Sequence, residues 1–151
     1  MDAGMLLRPM FQMDYDFVTP DILFKEELED QHPDLIDHGL RTLSLTGESV
    51  RRLVALKKIY DNTGVSNNDL STLALAKQEN APLLTGERTL RNICISENQK
   101  VFGTLWIVGE MIDAALINVG QAEIAYQLML ADGSRLPKAL INTQLQKFKA
   151  L

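Results

Sequence analysis

Residues 66–88 read SNNDLSTLALAKQENAPLLTGER, and the fold turns on how this stretch divides. Ser66 is an N-cap for a helix over Asn67 to Glu79, in which Leu70, Leu73, Ala74 and Lys77 share one face. The helix is followed by PLLTG, a short apolar run with the length of a buried strand. An acid stands near the start of each half: Asp69 in the first helical turn, and Glu87 two residues beyond the strand end at Thr85.

Working outward, the same alternation repeats on both sides. Toward the N-terminus, AGMLLRPMFQM (Ala3 to Met13) has helical spacing at Met5, Leu6 and Met10, with Pro9 placed to bend or divide it. In DYDFVTPDILFKEELED, Phe17 to Thr19 reads as a strand, with Thr19 as N-cap and Pro20 as first residue of the next helix. HPDLIDHG reads as a turn or helical fragment, RTLSLTGES as an edge strand through Leu43 and Leu45, and SVRRLVALKKIYDNTG as an amphipathic helix stopped by Gly64. Toward the C-terminus, Val101 to Thr104 is a strand candidate, and WIVGEMIDAALI, QAEIAYQLMLA and RLPKALINTQLQKF are closing helices. Strands alternating with helices predict an α/β fold, a three-layer sandwich whose central sheet is mainly parallel. No repeat, low-complexity tract or linker interrupts the pattern, so one domain over 1–151 is expected.

Composition narrows the function classes. The 151 residues are 46% hydrophobic and 23% charged, enough for an ordinary core. A net charge of −5 argues against holding nucleic acid by bulk electrostatics and leaves room only for a local basic patch. The single cysteine, Cys94, has no internal disulfide partner, no charged leader with an apolar core is seen, and no apolar run is long enough for a membrane span. A cytoplasmic protein is therefore expected.

In open parallel sheets the ligand crevice lies beyond the carboxyl ends of the strands, where side chains from several loops converge. Asp69 and Glu87 occupy such places, and the helix after Thr19 adds the pair Glu26 and Glu27. At 100° per residue Glu27 shares an arc with Leu23, Phe24 and Leu28, so it is the one of the pair expected to point inward. Several carboxylates together repel one another unless a cation compensates, and Mg²⁺ is the usual hard cation held by carboxylates, water and substrate phosphate. The pattern points to metal-assisted phosphodiester chemistry.

Each acid also has a plainer reading. Asp69 at the third helical position favours the helix dipole, a contribution of about 0.3–1 kcal/mol. Glu87 can be a solvated turn residue beside Arg88 or Arg91, and Glu26 and Glu27 the outer face of a helix carrying Lys25. His32 and His38 lack metal-ligand spacing and read as surface residues, while Met5, Met10 and Met13 read as core.

The order P-x-x-x-x-x-x-E-L after a strand, S-x-x-D-L-x-x-L-A-L-A, L-L-T-G-[acid]-R-x-L and V-x-G-T-L resembles the PIN-domain family, especially the VapC-like toxins, from Phe17 to about Leu140. That resemblance implies a metal-dependent ribonuclease with Glu27 (in second place Glu26), Asp69 and Glu87 as an acidic cluster around Mg²⁺ or Mn²⁺. It also implies an RNA substrate, dimerisation and an antitoxin partner. Two departures are visible: Glu87 stands where relatives carry Asp, and the opening apolar strand with its Asp, central in the relatives' sheet, is not seen before the first helix. Asp2, with no strand to hold it, is not expected to substitute. The alternative expectation is thus a truncated PIN-like module, weak or inactive as a nuclease, which binds RNA or a protein partner and tends to self-associate through exposed strand edges.

Overall fold

The computed structural model describes Met1 and residues 4–151. The reading of Asp2, and of a helix beginning at Ala3, lies outside the described residues. The chain divides into two compact units: Asp16–Gly103, and Met1–Tyr15 together with Thr104–Leu151.

The unit Asp16–Gly103 carries the strands. Val18–Pro20 (β1) pairs in parallel with Arg41–Leu43 (β2), Val18 opposite Arg41 and Pro20 opposite Leu43. Between them run Asp21–Leu23 (α2), a π-helical turn Phe24–Leu28, and Leu35–His38 (α3), which ends on Gly39 at φ 118°. Gly47–Ile59 (α4) starts from Thr46, whose hydroxyl accepts from the Ser49 amide. A 3₁₀ turn, Asp61–Thr63, ends at Gly64 with φ 80°, a left-handed conformation that glycine adopts without steric cost.

Asn67–Glu79 (α5) follows, capped by Ser66 and closed by Asn80 in the left-handed region. Leu83–Leu84 (β3) and Val101–Phe102 (β4) form a second parallel pair, joined by Arg88–Ser96 (α6). Leu56, Leu70, Leu73, Ala76, Leu83, Leu90, Ile93 and Cys94 make one buried cluster, so α4, α5, α6 and β3 share a core. Helix α5 packs against both β1 and β3 and is the common support of the two strand pairs.

The class is α/β with parallel strands, as the alternation predicts. The strands nevertheless form two separate pairs, β1–β2 and β3–β4, rather than one continuous ladder. At three and two residues the strands are short, and among the described residues none pairs β1 to β3. The expected bounds also shift: β2 lies ahead of Leu45, and the strand over Val101 gives way to helix at Thr104. Pro20 closes β1 and serves as N-cap, with φ −59° and ψ 139°, because Thr19 stays in the ladder opposite Thr42.

In the other unit, Leu7–Phe11 (α1), Thr104–Asp113 (α7), Val119–Ala131 (α8) and Lys138–Lys149 (α9) pack in succession. The α8 start is a full capping box, with Asn118 and Gln121 each bonding the other's backbone amide. Gly109 lets α9 approach closely: a Cβ there would lie 2.9 Å from Gln144 Nε2, which donates to the Leu105 carbonyl at 2.7 Å. Met13 is buried as expected, whereas Met5 is 78% exposed and belongs to no core. No described helix is long and apolar enough to cross a membrane.

Candidate active site

Three acids enter from three segments of the strand-bearing unit. Glu27 lies in the π-helical turn that follows β1 and α2. Asp69 is the third residue of α5, placed by the Ser66 hydroxyl, which accepts from the Asp69 amide at 3.0 Å. Glu87 follows β3 as the N-cap residue of α6, and its own amide donates to Thr85 Oγ1 at 3.0 Å.

The electrostatics bring these side chains into one field. Partial burial pushes the Asp69 carboxyl above the ordinary aspartate value. A hydrogen bond with Ser66 opposes that rise, and the negative charges of Glu27 and then Glu87 reinforce it. Asp69 therefore senses both other acids, and no ion pair among the described residues neutralises any of the three.

Glu27 is exposed rather than turned inward. The expectation assumed regular helical phase, and the π-helical turn breaks that phase at Phe24–Leu28. Such turns recur at functional sites, since the extra residue re-aims the side chains around it. Glu27 is nonetheless held: Asn68 Nδ2 donates to its Oε1 at 2.9 Å. Glu26 is likewise exposed. Glu87 is exposed as well, and Asp69 half-buried.

Asn68 is the participant that residue patterns did not single out. It is 9% exposed, and its Oδ1 is buried with no hydrogen-bond partner among the described residues. Glu27 and Asn68 are 41 positions apart, so only the folded chain brings them together. The sequence offered no signal for the contact beyond the adjacency of Asn68 to Asp69.

As a candidate cation site the cluster is right in donor type and open in spacing. Carboxylate oxygens are the ligands Mg²⁺ and Mn²⁺ take, and the uncompensated repulsion at Asp69 is the field a cation relieves. Among the described residues, no three of His, Cys, Asp and Glu are gathered closely enough to hold a metal together. His38 is engaged with Asp34 at 3.2 Å. Cys94 is fully buried and its thiol is pushed up to about 11, chiefly by burial, so neither contributes a ligand here.

No curated protein and no solved structure matches the chain. The family model described as a PIN domain matches residues 5–150, which takes in the π-helical turn, the start of α5 and the turn before α6. With nearly the whole chain matched, the protein belongs to the PIN-domain family, whose members are generally nucleases.

Proposed function

We propose that the chain is a metal-dependent ribonuclease that hydrolyses RNA phosphodiester bonds, with Glu27, Asp69 and Glu87 as its acidic cluster. What supports this reading is the PIN-domain match over residues 5–150, together with three acids from separate segments of which Glu27 and Glu87 add to the effect of burial on the Asp69 carboxyl. Acids delivered from three separated segments create a shared negative field at a cost to the fold, and that cost is recovered when a cation enters. Glu27, Asp69 and Glu87 would hold Mg²⁺ or Mn²⁺, which when bound activates water and stabilises charge on the scissile phosphate.

The protein residues then have distinct tasks. Glu27 offers Oε2, since Oε1 is engaged by Asn68. Asp69 stands at the centre of the shared field, and the Ser66 cap fixes its backbone. Glu87 reaches from the loop after β3, one methylene longer than the Asp expected there. A toxin's role with an antitoxin partner, self-association and a cytoplasmic setting extend the proposal and rest on the family resemblance.

The open spacing of the cluster favours one second reading, a PIN-like module that binds RNA or a protein partner with little or no turnover. Incubating the purified chain with labelled RNA in Mg²⁺ or Mn²⁺, with an EDTA control and the Asp69→Asn variant, separates the two. Cation-dependent cleavage abolished by Asp69→Asn supports the nuclease, whereas RNA retention without cleavage supports the binding module.

A further inference from the structure

We propose that Asn68 is a positioning residue for the acidic cluster, holding Glu27 in place through its side-chain amide; this rests on the metal-site reading above. Three observations carry it. Asn68 Nδ2 donates to Glu27 Oε1 at 2.9 Å. The Asn68 side chain is nearly fully buried, while the Glu27 it holds is exposed. Among the described residues its Oδ1 has no partner, although a buried acceptor left unpaired destabilises a fold.

The amide orientation follows from the pair itself, because reversing it would set Asn68 Oδ1 against a carboxylate oxygen, two acceptors in contact. The tether has a direct consequence for Glu27. An exposed glutamate samples many rotamers, and fixing one oxygen removes most of that freedom before a ligand arrives. It also leaves Oε2 as the oxygen available to the cluster. The π-helical turn sets where Glu27 enters, and Asn68 sets where its carboxylate stops.

A purely structural role is hard to reconcile with the orphan oxygen. For packing alone, an apolar side chain of similar size would fill the position without a buried unpaired acceptor. The Asn68 backbone carbonyl is already occupied, accepting from Ser71 Oγ at 2.6 Å and Thr72 Oγ1 at 3.1 Å, and those bonds do not depend on its side chain. The side chain is therefore separable from the start of α5.

The test measures Mn²⁺ affinity by calorimetry and Tm without metal, for the wild-type chain, Asn68→Leu, Glu27→Gln and the double variant. Asn68→Leu should leave Tm unchanged or raise it by about 2–4 °C, as expected from relieving a modest burial cost. Its Mn²⁺ Kd should rise about 10–100-fold, the usual effect of losing a partner that orients a ligand. On the Glu27→Gln background the same substitution should add nothing, since Asn68 acts through Glu27. Asn68→Ala, which removes both polar groups without added bulk, replaces Leu if Leu is not accommodated. Wild-type Mn²⁺ binding with unchanged affinity in Asn68→Leu, or a loss fully additive with Glu27→Gln, overturns the role of Asn68 alone. A wild-type chain that does not bind Mn²⁺ overturns the metal site and this inference together.

Discussion

Asp69→Asn sets two readings of one residue against each other in sign. If Asp69 only serves the α5 dipole, losing its charge costs about 0.3–1 kcal/mol. At about 2–4 °C per kcal/mol for a chain of this size, Tm falls by about 1–4 °C. If Asp69 belongs to the acidic cluster, the substitution also removes a charge disfavoured first by burial and further by Glu27 and Glu87, and that relief offsets the lost dipole term. Tm should then stay level or rise in the absence of metal. The pH dependence follows from the raised Asp69 carboxyl: the folded chain binds this proton more tightly than the unfolded chain. Relative to Asp69→Asn, the wild type therefore loses stability as pH rises from the ordinary aspartate range through the raised value. The difference closes again at lower pH.

Metal supplies the second arm of the same experiment. If the cluster binds Mn²⁺, the ion at about 100 times its wild-type Kd should stabilise the folded chain by about 2.7 kcal/mol, a Tm gain of about 5–11 °C. A 100-fold weaker site at that concentration retains about 0.4 kcal/mol, or about 1–2 °C. Thermal melts of both proteins at pH 4, 6 and 8, with EDTA or Mn²⁺, read all of these quantities. A variant that melts lower at every pH and gains as much from Mn²⁺ as the wild type would refute the cluster and leave Asp69 as a helix-start residue.

Further outcomes follow from other parts of the fold. Glu87→Gln should bring the Asp69 carboxyl back toward its ordinary value, read by carboxyl NMR titration, and should weaken Mn²⁺ binding; an unmoved Asp69 titration would separate Glu87 from the cluster. Leu73→Ala, at a position with no exposure in the shared core of the strand-bearing unit, should cost about 2–5 kcal/mol in denaturant unfolding, with the site's Mn²⁺ affinity falling only as the fold is lost. Cys94, fully buried and with its thiol pushed up to about 11, should react with a thiol reagent at neutral pH only as fast as the chain opens.

What could be read from residues alone follows the range of the interactions involved. The Ser66 cap and the burial of Leu70, Leu73 and Ala74 on α5 are set within a few positions of chain and stand where the pattern puts them, whereas α4 ends at Ile59, ahead of the expected Gly64, which closes only the 3₁₀ turn Asp61–Thr63. Helix α6 is weakly signalled although Leu90, Ile93 and Cys94 repeat at helical spacing, because the segment is short and its N-cap, Glu87, makes no side-chain capping bond. The π-helical turn at Phe24–Leu28 has no local signature, and regular helical phase at 100° per residue predicts Glu27 inward. Pairing partners of two- and three-residue strands are likewise set by what packs on them. The tether from Asn68 to Glu27 depends on β1, the π-helical turn and α5 meeting, and no spacing along the chain encodes it.

The division of the strands into two pairs bears on how such a site is assembled. Each pair hands its chain, at the carboxyl end of one strand, to a segment bearing an acid: β1 leads through α2 to Glu27, and β3 through Thr85 to Glu87. Among the described residues no ladder fixes one pair against the other, so backbone pairing there does not set the distance between those two acids. Helix α5 does, because it packs on both β1 and β3 and carries Asp69 and Asn68 in its first turn. Its buried residues, Leu70, Ser71, Leu73, Ala74, Leu75 and Ala76, anchor the helix, and the end of that rigid body holds Asp69 within the fields of both other acids. A site organised this way is sensitive to the seating of one helix. Loosening α5 should spread the carboxylates, relieve Asp69 and lower cation affinity together, whereas a cation that draws the three acids inward should tighten the packing of α5 on both strand pairs.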